Sequence, residues 1–226
     1  MDSLYCKLLP TYTFYGPPGS GKGTQGIMIQ DRFSFLHLSS GDILRKAIED
    51  GDPTALEVKG IMERGELVPD ELISKMVHDS LKLRLVNCRE YLLGVILDGY
   101  PRTVGQARMM DDMLLDLRLC SVGMVNLEVP EEEIYNRLKL RAIKEKRADD
   151  NEVSIRKRIE EWRKNYEILK GYFSSKYRFF PVEGIGSMEE VQSRVVNALQ
   201  CTCKLLTHSL QDVSPRTLQG IYGLEM

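Results

Sequence analysis

Short apolar runs alternate with longer amphipathic segments along most of the chain. The runs are rich in β-branched and aromatic residues, and each has about the length of one strand. They predict five β-strands, over residues 11–15, 35–39, 94–99, 121–129 and 177–182. The run GVILDG at 94–99 is apolar up to its closing Asp-Gly, which is typical of a strand that is buried on both faces.

The segments between these runs carry apolar residues at helical spacing. They predict helices over residues 22–33, 41–51, 53–65, 69–85, 130–145, 151–173 and 187–200. Proline stands in the first turn of the helices predicted at 53–65 and 69–85, and the last helix begins with a Ser-x-x-Glu capping box. Strands that alternate with helices from end to end predict an α/β fold, with a mostly parallel five-stranded sheet flanked by helices on both faces.

The length and charge of the chain narrow its class. Its 226 residues suffice for one well-filled core with small inserted subdomains, so we expect one domain over residues 1–206 and a weakly periodic tail over 207–226. The 31 Lys and Arg residues nearly balance the 33 Asp and Glu residues, which gives a net charge of -2. This balance argues against a surface dedicated to nucleic acid or to an anionic membrane.

Cysteine spacing and the apolar runs indicate the compartment. The five cysteines are scattered and form no paired C-x-x-C set, so we expect no zinc site and a reducing environment. The first residues lack the basic leader and long apolar segment of a signal peptide, and no apolar run is long enough to span a membrane. We therefore expect a cytoplasmic protein.

A glycine-rich loop, GPPGSGKGTQ at 16–25, joins the first predicted strand to the first predicted helix. This context is typical of a phosphate-binding loop, because glycines let backbone N–H groups converge on an anion at a helix N-terminus. Lys22 would then reach the β- and γ-phosphates as a point charge. A tight turn with an incidental lysine is the alternative, and the strand-loop-helix context disfavours it.

One residue of the loop departs from the general phosphate-loop motif. That motif has Ser or Thr directly after the lysine, whereas here Gly23 follows and Thr24 comes one position later. The departure points to a narrower family and argues against the usual hydroxyl-to-magnesium bond.

Five motifs occur in one order along the chain: GPPGSGKGTQ, HLSSGDILR, GELVPDEL, ILDGYPRTVGQA and RADDN followed by RKR. Together they resemble the adenylate kinases, within the nucleoside monophosphate kinases, over roughly residues 11–200. The resemblance implies a P-loop kinase that transfers a phosphoryl group from MgATP to AMP, giving two ADP. It also implies a helical acceptor-binding insertion at about 40–70, a short lid at about 137–150, Mg²⁺ bound with ATP, and a monomer whose partners are the nucleotides ATP, AMP and ADP.

The resemblance assigns an acceptor site. Residues matching the AMP-binding positions are Ser40, Gly41, Arg45, Val68, Gly99, Arg102, Gln106, Arg147 and Arg158. Their chemistry agrees with this assignment, because Arg45 and Arg102 can fork onto a phosphate and Gln106 can offer a donor and an acceptor to a base edge. Taken alone, Ser40 and Arg45 could be a helix cap with a surface arginine, and Gln106 could be an exposed helical residue.

The resemblance also assigns a donor site. The ATP-binding positions are Gly19, Ser20, Gly21, Lys22, Gly23, Thr24, Arg137, Gly184 and Gly186, and Asp98 would order the waters around magnesium. The implied catalytic set is Lys22, Arg102, Arg141, Arg147 and Arg158. Phosphoryl transfer mainly requires positioning and charge neutralisation. A site with several arginines and no nucleophilic side chain agrees with that requirement. A basic run at 137–147 that merely faces solvent is the alternative.

Two other functions stay open from the sequence. A UMP/CMP kinase shares the fold, but such relatives usually carry alanine at position 40 and asparagines in place of the Thr103 and Gln106 pattern. A nucleotide-dependent switch that hydrolyses ATP slowly would have little use for a second phosphate clamp built from Arg45 and Arg102.

Overall fold

Five parallel strands form the centre of the protein in the computed structural model, which describes residues 8–145 and 151–200. The strands are β1 (Leu9–Tyr15), β2 (Phe35–Ser39), β3 (Gly94–Asp98), β4 (Leu119–Glu128) and β5 (Arg178–Glu183), in the sheet order β2-β3-β1-β4-β5. Each pairing is parallel. The five strands and the α/β class predicted from the apolar runs are therefore confirmed.

Helices connect the strands. In the described residues they are α1 (Lys22–Arg32), α2 (Ser40–Glu49), α3 (Pro53–Glu63), α4 (Asp70–Cys88), α5 (Val104–Asp116), α6 (Glu131–Glu145), α7 (Glu152–Lys176) and α8 (Met188–Gln200), with a 3₁₀ turn at Arg89–Tyr91. The seven predicted helices are present within a few residues of their expected ends. The capping box is also present, since Ser187 and Glu190 exchange backbone-to-side-chain hydrogen bonds at the start of α8.

Helix α5 is not among the seven predicted helices, although its sequence carries a start signal. Thr103 is its N-cap, and the Thr103 hydroxyl accepts a hydrogen bond from the backbone N–H of Gln106. Its buried residues Ala107, Met110 and Leu114 recur at helical spacing. The position of α5 matters because its N-terminus lies beside the loop that follows β3.

The sheet separates two hydrophobic layers. On one side Tyr12 and Phe14 pack with residues of α1 and α8, and on the other side Tyr15 packs with residues of α4, α5 and α7. All five residues of β3 are buried, as its uninterrupted apolar run predicts. Because both faces are covered, ligands can reach the sheet only at an edge or beyond the strand ends.

The carboxyl ends of the central strands meet at one edge of the molecule. Phe14 of β1 is in register with Asp98 of β3, and Ser39 of β2 is in register with the same Asp98. The glycine-rich loop, the start of α2 and the loop after β3 therefore begin side by side. In open α/β sheets this is where ligands bind.

The described helices offer no candidate for a membrane span, since none is both long and apolar enough.

Candidate active site

A cleft of about 810 Å³ opens at the carboxyl ends of the strands. Its walls come from the glycine-rich loop, the start of α2, the chain between α3 and α4, the loop after β3, and helices α6 and α7. Segments far apart in sequence thus share one cavity of a size suited to small-molecule ligands.

The glycine-rich loop is folded as a cradle at the start of α1. Gly16, Gly19 and Gly21 have φ values of +138°, +79° and +95°, and Gly21 is the N-cap of α1. Residues with a Cβ atom rarely adopt such angles, which explains why the sequence alternates glycine with other residues here. The loop lines the cleft and leads into the N-terminus of α1, an arrangement that favours a bound anion.

Lys22 lies folded over this loop. Its Nζ atom donates hydrogen bonds to the carbonyl oxygens of Gly16 and Pro17, at 3.0 and 2.8 Å, and to the Ser20 hydroxyl at 3.2 Å. Burial lowers the pKa of Lys22 to about 7, against the opposing effect of the Asp98 carboxylate. The charges of Arg102, Arg158 and Arg141 lower it further. An incoming phosphate would offset this repulsion, so the lysine is suited to an anionic ligand.

Asp98 closes β3 beneath the loop. Its side chain is largely buried, and its Oδ2 atom lies 3.4 Å from Nε2 of the buried His37. Gly26 of α1 leaves room for this histidine, because a Cβ atom there would lie 2.4 Å from the ring. A Cβ atom at Gly23 would lie 3.4 Å from the same carboxylate oxygen, so Asp98 lies directly beside the loop.

The described residues contain no cluster of three His, Cys, Asp or Glu side chains that could hold a metal ion by itself. A magnesium ion is different, since it usually takes one or two carboxylates and completes its shell with substrate phosphates and water. The Asp98 carboxylate beside the phosphate loop fits that requirement.

The start of α2 forms a second wall of the cleft. Ser40 is buried, and its hydroxyl donates a 2.7 Å hydrogen bond to the carbonyl oxygen of Gly99. The N-cap of α2 is the preceding Ser39, whose hydroxyl accepts from the Asp42 N–H. Arg45 is bonded to the Asp42 carboxylate at 2.5 Å, and Gly41 keeps the backbone open beside its guanidinium. Ser40 therefore faces the loop after β3 and does not cap the helix.

The loop after β3 presents a guanidinium and an amide to the same cleft. The Nε atom of Arg102 donates to the Gly99 carbonyl oxygen at 2.7 Å. Gln106 is almost fully buried, in contrast to the exposed position that its helix alone would allow. Its Oε1 atom accepts from the Arg102 backbone N–H at 2.7 Å, and its Nε2 atom donates to Asp70 at 2.8 Å.

Val68 lines the cleft and is also part of the core below it. The nearby Gly65 has a φ of +74°, and a Cβ atom there would lie 2.5 Å from the Ser154 carbonyl oxygen and 3.1 Å from Cγ of Arg158. The chain between α3 and α4 thus touches the first turns of α7. This contact brings Arg158 to the wall formed by α2 and Val68.

Helix α6 supplies the wall near the glycine-rich loop. Arg137 donates to Glu133 at 2.8 Å and to the carbonyl oxygen of Gly184 at 3.0 Å, which ties α6 to the loop after β5. Gly184 and Gly186 both line the cleft, and Gly186 has a φ of +114°. Arg141, one turn after Arg137, lines the cleft as well. The remaining lining residues near the glycine-rich loop are Gly19, Ser20, Gly21, Gly23 and Thr24.

The structure therefore brings the described site residues predicted from sequence to one cleft. Arg147, assigned to both the catalytic and the acceptor set, lies outside the described residues. Sequence reasoning missed Asp70, which bonds Gln106 although 36 positions separate the two. Its position directly after Pro69, in the first turn of α4, looks like that of an ordinary helix-start acid.

Comparison with known proteins agrees with this geometry. The family model of adenylate kinase matches residues 14–178, which cover most of the described chain. The chain belongs to the adenylate kinase family. The expected family and fold are thus confirmed.

Curated relatives in this family match over nearly their whole length. The chain is 42% identical to an adenylate kinase of Thermus thermophilus over 186 residues, which cover 82% of this chain and 95% of that protein. It is 38% identical to an adenylate kinase of Leptospira biflexa over 186 residues, 82% of this chain and 97% of that protein. An adenylate kinase of Xanthomonas campestris is 39% identical over 184 residues, 81% of this chain and 96% of that protein.

Proposed function

We propose that this protein is an ATP:AMP phosphotransferase, which catalyses the reversible reaction of ATP and AMP to give two ADP. Family membership supports the reaction class, since the curated relatives carry the name adenylate kinase. The observation that carries the proposal from the molecule itself is the shared cleft. Lys22 of the phosphate loop lines the same cleft as Arg102, Arg141 and Arg158. The charges of these three arginines lower the pKa of Lys22, so the lysine and the arginines are close enough to bind phosphate groups side by side.

Two phosphate-binding walls in one cleft suit direct transfer between two nucleotides. On the donor side, backbone N–H groups over residues 19–24 and the Lys22 ammonium would hold the β- and γ-phosphates of ATP. On the acceptor side, Arg45 and Arg102 would grip the phosphate of AMP. Arg141 and Arg158 would then neutralise charge on the phosphoryl group as it moves. We assign the same role to Arg147.

The base sites are assigned from the remaining lining residues. The acceptor nucleoside would be surrounded by Ser40, Gly41, Val68, Gly99 and Gln106. The Gln106 amide would form hydrogen bonds with the edge of its base. Arg137, Gly184 and Gly186 would surround the donor adenine, with the Arg137 guanidinium flat against the ring. Of these residues, Ser40, Gly41 and Val68 belong to the proposed 40–70 insertion, and Arg137 belongs to the proposed 137–150 lid.

Asp98 would hold magnesium through water while ATP phosphates supply further ligands. Magnesium neutralises phosphate charge and orients the transferring group. The position of the Asp98 carboxylate beside Gly23 supports this assignment. The His37 ring behind it would keep the carboxylate directed towards the loop.

An acceptor panel tests the function. ADP formation from MgATP is measured with AMP, CMP, UMP or GMP, and without any acceptor. We expect strong turnover with AMP alone. Faster turnover with CMP or UMP would identify the alternative, a UMP/CMP kinase, and equal ATP loss without an acceptor would identify a hydrolase. Size-exclusion chromatography of the same sample tests the expected monomer.

A further inference from the structure

We propose that Asp70 fixes the orientation of the Gln106 side-chain amide and thereby makes the acceptor site select the adenine pattern, an accepting ring N1 beside a 6-amino group. Bases with a carbonyl at the same place, such as hypoxanthine, would be rejected. This inference rests on the proposed acceptor role of Gln106, and it assigns a positioning role to a residue that does not itself have to touch the nucleotide.

The hydrogen bonds of Gln106 define its amide orientation completely. Nε2 donates to Oδ1 of Asp70 at 2.8 Å, and Oε1 accepts from the backbone N–H of Arg102 at 2.7 Å. The other carboxylate oxygen, Oδ2 of Asp70, accepts from the Thr103 hydroxyl at 2.7 Å. The amide is thus bonded at both of its ends by protein groups.

The two partners of the amide cannot exchange roles. An ionised carboxylate only accepts hydrogen bonds, and a backbone N–H only donates them. If the amide rotated by half a turn, Oε1 would face the Asp70 carboxylate and Nε2 would face the Arg102 N–H. Both contacts would then be repulsive, so the buried side chain keeps one orientation.

An amide with one fixed orientation offers its remaining hydrogen-bond donor and acceptor to a ligand in one fixed arrangement. After these bonds, Gln106 still has one N–H and one carbonyl lone pair, and it lines the cleft. Adenine can use both, because its ring N1 accepts and its 6-amino group donates. Hypoxanthine has the opposite pattern, since its N1 donates and its 6-oxygen accepts. It could be matched only by a rotated amide, which Asp70 and Arg102 oppose.

The local packing holds Asp70 in this position. The Thr103 hydroxyl both donates to Asp70 and accepts from the Gln106 N–H, so the first turns of α4 and α5 share one network. Gly105 permits the close approach, because a Cβ atom there would lie 2.4 Å from Oδ2 of Asp70. Any side chain at position 105 would have to displace the carboxylate.

The test compares AMP with IMP, which differs from AMP only at the 6-position of the base and the adjoining N1 proton. We would measure kcat/KM for both acceptors with MgATP in the wild-type protein and in Asp70→Asn. The asparagine is nearly isosteric, but its amide can offer an N–H to a rotated Gln106. The Arg102 N–H still opposes the rotation, so we expect the AMP-to-IMP ratio to fall by about tenfold and not to vanish.

A second variant and a control separate selection from damage. Gly105→Ala keeps the charge of Asp70 but pushes its carboxylate away, and we expect the ratio to fall in this variant too. Glu71→Gln removes a neighbouring exposed acid from the same helical turn, and we expect its ratio to equal that of the wild type. A purely structural defect would lower kcat/KM for both acceptors by the same factor.

The outcomes are distinguishable. A ratio in Asp70→Asn and Gly105→Ala within about twofold of the wild-type value would overturn the proposed role of Asp70, even with good AMP turnover. Absence of AMP turnover in the wild-type protein would instead overturn the proposed function itself.

Discussion

The Nζ atom of Lys22 lies 2.8 Å from the carbonyl oxygen of Pro17, within the loop that the lysine would serve. The ammonium group is surrounded by loop oxygens, and burial together with the cleft arginines lowers its pKa to about 7. Holding the protonated Lys22 in this loop therefore destabilises the ligand-free fold. The free energy of unfolding should accordingly depend on pH.

We expect the ligand-free protein to gain stability relative to Lys22→Met as the pH rises from about 7 towards 10.5. The pKa of Lys22 is about 7 in the folded state and 10.5 in an unperturbed lysine, so the unfolded chain binds more protons between these values. The free energy of unfolding therefore rises with pH in this range. Urea unfolding of both proteins at several pH values measures the difference, and a difference that stays constant with pH would contradict the lowered pKa.

Loss of the Lys22 charge should impair catalysis more than folding. We expect Lys22→Ala to lower kcat by about 10²-fold or more, because a group that stabilises transition-state charge is removed. Lys82→Ala, at an exposed position of α4, serves as the matched control and should keep wild-type activity. Near-normal turnover of Lys22→Ala would show that the glycine-rich loop is not a catalytic phosphate site.

Gly65 and Gly51 form a natural pair for testing the contact between the chain after α3 and helix α7. Both have a positive φ, +74° and +76°, but a Cβ atom at Gly65 would meet the Ser154 carbonyl oxygen at 2.5 Å, whereas Gly51 faces open space. Alanine at either position costs about 1–2 kcal/mol of backbone strain. We expect Gly65→Ala to lower the free energy of unfolding more than Gly51→Ala does. Equal decreases for the two variants in urea unfolding would argue against the contact between Gly65 and α7.

Asp111 joins α5 to the end of α7 and to the residue before β5. Its carboxylate accepts hydrogen bonds from Tyr172, Lys176 and Tyr177, at 2.6, 2.6 and 2.8 Å. Burial raises the pKa of Asp111, but these three hydrogen bonds outweigh it and leave the pKa below its usual value. The stabilisation is therefore present at neutral pH and disappears as the pH falls through the lowered pKa.

We accordingly expect Asp111→Asn to lower the melting temperature by a few degrees at pH 7. The difference in melting temperature between the variant and the wild type should become smaller as the pH falls into the acid range. Asp112→Asn, at the exposed neighbouring position, should leave the melting temperature unchanged. A gap that persists unchanged at pH 3 would mean that the carboxylate charge is not responsible.

Local signals in the sequence explain how much could be predicted. Uninterrupted apolar runs such as GVILDG define the strands, and the glycines of the phosphate loop define its backbone angles, because both depend on neighbouring residues. Helix α5 carries an equally local signal, the Thr103 cap, but it lies outside the segments with the clearest apolar pattern. The Asp70–Gln106 bond and the His37–Asp98 contact depend on how distant segments pack, so no periodicity or spacing could predict them.

The central claim, direct phosphoryl transfer between two nucleotides in one cleft, is tested most directly with ADP as the only nucleotide. We would incubate the protein with ADP and Mg²⁺ and follow the products by phosphorus NMR. The account predicts equal amounts of ATP and AMP and no inorganic phosphate. Release of inorganic phosphate without ATP, or no reaction at all, would contradict it.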